Sequence, residues 1–176
     1  MIKVQGKDLS GCLSDIQLKL VRTYKGDITR TQTGLVAAFP TSFVTPGFSL
    51  TFIGDRALMK RIEQIFLSSD LVELTLDYGG TSLKGAFSCT TNECTELRDK
   101  GERSMQLSID VVSDGTDITD ASGRAFTVKA GSSTVLSGCA FGKVYTVPSA
   151  YTNYKLDGFK LPGGKILVLG NHNLTS

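Results

Sequence analysis

Apolar residues recur at every second position along much of this chain. Ile16, Leu18 and Leu20 alternate with Gln17 and Lys19, and Phe48, Leu50 and Phe52 with Ser49 and Thr51. Val72, Leu74, Leu76 and Tyr78 alternate with Glu73, Thr75 and Asp77, and Met105, Leu107, Ile109 and Val111 with Gln106, Ser108 and Asp110. Side chains on a strand point to opposite faces in turn, so each run places one face in a core and the other in water or against a partner. Half-buried strands of this kind belong to antiparallel sheets. Gly79-Gly80 separates two such runs and supplies the positive φ angles of a tight turn, which predicts a hairpin over 71–90. In its second strand Leu83, Phe87 and Cys89 share a face. Gly85 falls on that face too and leaves room for a bulky neighbour.

One segment has a different period. Across 55–69 the apolar residues are Leu58, Met59, Ile62, Ile65 and Phe66, a single stripe on a helix of about four turns. Asp55 suits the N-cap, and Arg56, Lys60, Arg61, Glu63 and Gln64 occupy the opposite face. The stripe is expected to pack on a sheet.

Three polar stretches, 24–34, 90–103 and 113–123, read as loops, and loops of that length are usually functional or mobile. After the third, strands become shorter and Gly-punctuated, with candidates at 126–130, 133–136, 143–147, 154–161 and 165–169. The expected fold is mainly β: an antiparallel β-sandwich or barrel flanked by one α-helix, spanning 1–117, with a small β-rich C-terminal annex over 118–176. An annex this small is expected to lean on the first domain or on a neighbouring subunit.

Little in the sequence points to chemistry. The chain has 176 residues, with 19 Lys+Arg against 17 Asp+Glu and a net charge of +2, and shows no clustered basic stripe for specific nucleic-acid binding. No apolar run is long enough for a membrane-spanning helix. The opening residues alternate like a strand and lack the apolar core of a signal peptide, so Cys12, Cys89, Cys94 and Cys139 are expected to be reduced. Cys89 and Cys94 form a C-x4-C pair, but Cys12 and Cys139 do not complete a zinc site, and no metal is expected. The one histidine, His172, is the fifth residue from the end of the sequence, where fraying is expected. That removes mechanisms built on a His base or on two His ligands. Asp114, Asp117 and Asp120 recur every third residue, but without the closing Glu of a calcium loop they read as a solvated turn. No phosphate-binding glycine motif occurs. Neither a cofactor nor catalysis is expected. Tyr145, Tyr151 and Tyr154 offer an alternative reading as a carbohydrate-binding β-module.

The order of elements resembles the tail-tube and baseplate (distal tail) proteins of tailed bacteriophages and phage-tail-like particles. The resemblance rests on the opening Ile2–Lys7, then Leu18–Arg22, then the polar loop with Thr29–Gly34. Phe48–Phe52 leads directly into the helix 55–69, and the hairpin 71–90 and a strand over 104–112 complete the pattern. It covers about residues 1–115. It implies a non-enzymatic structural virion protein that self-associates, typically as a hexameric ring stacking in a tail tube or baseplate. The partners it implies are further copies of the chain and other phage tail proteins. DNA would pass through the lumen without sequence-specific contact, and no membrane is involved. The location implied is the virion tail, assembled in the host bacterial cytoplasm.

Within that reading the polar segments are expected to form the subunit contacts. Arg30 in the first, and Glu93, Glu96, Arg98, Asp99, Lys100, Glu102 and Arg103 in the second, carry mixed charge. Mixed charge suits head-to-tail contacts, in which one surface meets a different one and a ring can close.

Overall fold

The computed structural model describes residues 1–24, 29–30, 36–38, 42–99 and 102–176. The chain opens with β1 (Ile2–Val4) and β2 (Lys7–Asp8), followed by β3 (Leu13–Tyr24). Next come β4 (Thr29–Arg30) and β5 (Val36–Ala38), a two-stranded ladder of their own, and β6 (Ser42–Gly54), which pairs along the length of β3. The helix α1 (Arg56–Leu67) follows at once, then β7 (Val72–Tyr78), β8 (Thr81–Asp99), β9 (Glu102–Ser113) and β10 (Thr119–Asp120). The remainder holds β11 (Phe126–Ala130), β12 (Ser133–Cys139), β13 (Val144–Thr146), β14 (Lys155–Leu156), β15 (Phe159–Leu161), β16 (Lys165–Leu167) and β17 (His172–Thr175).

The fold is mainly β with one helix, as the sequence predicts. The large sheet runs β2-β1-β7-β8-β9-β6-β3, with β10 also on β8, and all its pairs are antiparallel. Among the described residues it is open, so the barrel alternative is not realised. Its register lines up the alternating residues in rows. Leu18, Phe48, Val111 and Cys89 form one row, and Ile16, Leu50, Ile109 and Asn92 the next. The helix covers this face with Met59, Ile62 and Phe66, and the Phe66 ring lies 6.1 Å from that of Phe52. Asp55 caps the helix, its Oδ1 accepting the Leu58 N–H at 2.8 Å. On the opposite face Asp110 of β9 accepts from Ser49 of β6 at 2.6 Å and pairs with Lys19 of β3 at 2.7 Å, so one carboxylate ties three strands together.

Within the expected 90–103 loop, the described residues 90–99 and 102–103 are strand. β8 runs unbroken through Asp99, and β9 begins at Glu102. The first part of β8, Thr81–Phe87, pairs with β7. From Phe87 onward it pairs with β9, so Phe87 belongs to both ladders. A bulge between Cys89 and Thr91 adds one residue to β8. The extra residue shifts the phase. Odd-numbered Leu83, Phe87 and Cys89 share the core face with even-numbered Asn92 and Cys94, which no strict alternation would show.

Residues 118–176 pack onto the same core. Phe141 lies 6.1 Å from Phe48 and 6.4 Å from Tyr78, and Phe48 also meets Phe87 at 5.8 Å. Ile118 fills the space at Gly85, where an added Cβ would come within 3.0 Å of it. The sheet β12-β11-β17-β14 contains a parallel pair, β11 with β17, and β13-β16-β15 forms another sheet. The expected 154–161 strand divides into β14 and β15. His172 is not frayed. It lies in β17 and is 8% exposed; Nε2 accepts the Leu169 N–H at 2.9 Å, and Nδ1 sits 2.9 Å from Asp157 Oδ1. Because Nε2 accepts, the proton is on Nδ1 and is donated to the carboxylate.

Candidate functional site

Of the sequence-predicted contact residues, all but Arg30 and Lys100 fall on the arm formed by β8 and β9 beyond the bulge. Glu93 stands opposite Ser108 and Glu96 opposite Met105; both glutamates are exposed. Arg98 stands opposite Arg103 and Asp99 opposite Glu102, and the side chains of these four lie outside the described part. Lys100 lies outside the described residues. Arg30 is in the separate β4/β5 ladder, opposite Val36, and its side chain is likewise outside the described part.

Successive residues of a strand belong to opposite faces, so the register divides the arm. Asn92, Cys94 and Glu96 share the helix-side face with Ile109, Leu107 and Met105. Glu93, Thr95 and Leu97 share the other face with Ser108, Gln106 and Ser104. Sequence reasoning missed the contribution of α1. Arg56, Lys60 and Glu63 of its polar flank line a groove with Cys94, Glu96 and Met105. Asn92 Nδ2 donates to Glu63 Oε1 at 2.7 Å, fixing the helix against the arm. The helical charges were visible in the sequence, but the bulge that turns Asn92 and Cys94 toward them was not.

The segment β8-β9-β6-β3 also has two sheet edges. β8 has no ladder partner opposite β9 over Ser88–Asp99 among the described residues, and β3 has none opposite β6. Bare backbone donors and acceptors along such edges are templates for pairing with another chain.

No protein-family model matches this chain, and no curated protein matches it. Among solved structures, a chain from one titled as the virion of a native gene transfer agent (GTA) particle is similar, with a TM-score of 0.41 and 16% identity. The similarity covers 62% of this chain and 85% of that one. A likeness at that level says nothing of what this chain does, and the site is read from its own geometry.

The other candidate groups are occupied locally. Among the described residues no three His, Cys, Asp or Glu side chains converge as a metal site would require. Asp114 accepts from Thr116 through the backbone N–H at 2.9 Å and the hydroxyl at 2.6 Å. Asp120 accepts the N–H groups of Ser122 and Arg124 at 2.8 Å each, and Asp117 pairs with Lys143. The Thr116 hydroxyl holds the Asp114 carboxyl below its ordinary value, and the Arg124 N–H does so for Asp120. Asp114 and Asp120 are thus turn clasps, and Asp117 is one half of an ion pair with Lys143. Cys139 is buried and Cys12 half-buried, and burial pushes both thiols up; Cys94 is exposed. Tyr145 turns its hydroxyl to the Ala140 N–H at 2.8 Å, while Tyr151 and Tyr154 meet edge to face at 5.2 Å. The three rings do not present one flat stacking surface.

Proposed function

We propose that this chain is a structural virion protein of a phage tail or phage-tail-like particle, forming rings by self-association in the tail tube or baseplate. The observation that carries this reading is the four-stranded segment β8-β9-β6-β3, in which, among the described residues, β3 has a ladder partner only in β6 and the β8 segment beyond the bulge only in β9. Exposed edges of that length are a liability in a lone soluble domain and an asset in a protein that joins copies of itself. The two edges belong to different strands, so a contact between them is head-to-tail and closes into a ring when the rotation allows. The resemblance in the order of elements points to a hexamer. The role is structural rather than catalytic, since Asp114 and Asp120 clasp turns, Asp117 pairs with Lys143, and His172 is engaged with Leu169 and Asp157. A carbohydrate-binding module built on Tyr145, Tyr151 and Tyr154 has less support, because Tyr145 is held by Ala140 and the other two tyrosines pack on each other.

Native mass spectrometry and negative-stain microscopy of the purified chain test this. Closed rings or stacked tubes are the expected result. A monomer at every accessible concentration would refute it, and glycan binding by such a monomer would favour the alternative.

A further inference from the structure

We propose that β3 of one copy pairs antiparallel with the free edge of β8 in the next copy, with Lys19 opposite Glu93 and Leu18 opposite Cys94. This rests on the self-association reading above and adds the register in which the two edges meet. The strand directions allow it. β8 and β6 run one way and β9 and β3 the other, so a copy rotated about an axis along the strands brings its β8 antiparallel to β3. The lengths agree as well. β3 has 12 residues; β8 has 19, of which Thr81–Phe87 belong to the β7 ladder, and the remaining Ser88–Asp99 is as long as β3.

Within one copy the two edges are out of step. Followed across β6 and β9, Leu13 is level with Cys94 and Lys19 with Ser88. Set side by side at one height, Leu20–Tyr24 would overrun at one end and Thr95–Asp99 at the other. The edges pair along their whole length only when the next copy is displaced by about four to five residues, or about 15 Å at a strand rise of about 3.4 Å. A sheet that closes on itself needs such a stagger, and about one residue per strand is the ratio in barrels of eight strands with a shear of eight.

The side chains select among the registers that remain. Faces match only in steps of two residues. Leu18 and Cys94 belong to the core face, opposite Phe48 and Leu107, and Lys19 and Glu93 to the other. In the proposed register the Lys19 side chain, 44% exposed and already on Asp110, gains Glu93 as a second carboxylate. Two residues either way, Glu93 would meet Gln17 or Val21. With no displacement it would meet Asp15, a like charge directly opposite. On the core face the same register sets Asn92 beside Leu20, which is 40% exposed in one copy while Phe48 and Leu50 of β6 are wholly buried. A two-fold contact of β3 with β3 would leave both β8 edges bare.

The test takes the assembled natural chain, half of it isotope-labelled, and treats it with a carbodiimide, which joins an amine to a carboxylate in contact. Mass spectrometry should find Lys19 joined to Glu93 between labelled and unlabelled copies, beside a Lys19–Asp110 link within one copy. Three variants then fix the register against the natural Cys94. Under mild oxidation Leu18→Cys should cross-link copies about tenfold faster than Ile16→Cys or Leu20→Cys, since those positions lie diagonally, about 7–8 Å away and beyond disulfide reach. Adding Cys94→Ser to Leu18→Cys should abolish the link; a link that survives would mean that β3 pairs with itself and would overturn the proposal. Circular dichroism checks that each variant is folded. If Glu93 does not join Lys19, or another position cross-links faster, the register is overturned while self-association stands. If the natural chain never assembles, self-association is overturned and the register with it. Should a cysteine variant fail to fold, the carbodiimide result on the natural chain decides.

Discussion

Replacing Gly142 with alanine should be among the most damaging single-methyl changes in this protein. Gly142 has φ +75°, and a Cβ there would lie 2.6 Å from Pro46 Cβ and 2.8 Å from Pro46 Cγ. The proline ring cannot swing aside as a long side chain would. Its neighbour Gly47 is held as tightly, with space for a Cβ only 2.5 Å from the Val111 carbonyl oxygen. Two costs therefore add. Holding an alanine in the left-handed region costs about 1–2 kcal/mol. Forcing a methyl into a filled space costs about 1–3 kcal/mol more. Gly131→Ala separates the two terms, because Gly131 also has a positive φ of +59° but nothing within 4 Å of the added Cβ. The comparison is made by urea or thermal unfolding of the three proteins under one condition. An excess of about 2 kcal/mol for Gly142→Ala corresponds to about 4–8 °C in Tm for a chain of this size. If the two variants unfold alike, within about 0.5 kcal/mol, Gly142 does not approach Pro46 as described, and the docking of Phe141 beside it loses its support.

Phe66→Ala should destabilise by about 3–5 kcal/mol, since the ring is 1% exposed and packs on Phe52; a loss below about 1 kcal/mol in urea unfolding would mean the helix stripe is not enclosed. His172→Phe removes an acceptor from the Leu169 N–H and a donor from Asp157, and should cost about 1–3 kcal/mol; an unchanged midpoint would show that the clasp contributes nothing. The Asp110 carboxyl is held below its ordinary value of 3.8, first by its hydrogen bond with Lys19 and then by that with Ser49. With the folded value below the unfolded one, its stabilisation is fully present above about pH 4 and is lost as pH falls through the folded value. Asp110→Asn should therefore lower stability at neutral pH and flatten the acid side of the stability curve. A curve parallel to that of the natural chain would remove Asp110 from the account.

The parts of this fold that could be read in advance are those where one rule acts alone. Leu74 and Leu76 alternate because one face of β7 is buried, and Leu58 through Phe66 recur at helical spacing because one stripe of α1 is. Gly85 could be read as a vacancy, and Ile118 fills it. The arm beyond Cys89 was opaque for a physical reason. The bulge resets the phase, and both faces there are polar, so no apolar alternation remained to mark a strand; only pairing with the well-patterned β9 extends the ladder. The charged residues of the candidate site were evident from composition. Their division between two faces was not, because it depends on one inserted residue and on a partner strand. Position in the sequence says nothing of pairing, and His172 is ordered near the end because β17 is held by β11 and β14.

The parallel pair of β11 and β17 also bears on how the chain reaches its fold. β11 meets β12 across a tight turn, and hairpins of that kind close in about 1–10 μs. Its other neighbour comes from much farther along, with Thr127 and Asn171 separated by 44 residues. At a synthesis rate of about 5–20 residues per second, that separation takes about 2–9 s to produce. For all that time the nascent β11 holds one edge bare beside Val128, a residue destined to be wholly buried. The sheet around His172 is thus completed late, and a newly made chain passes through a stage in which its own second sheet offers an open strand to any copy emerging nearby.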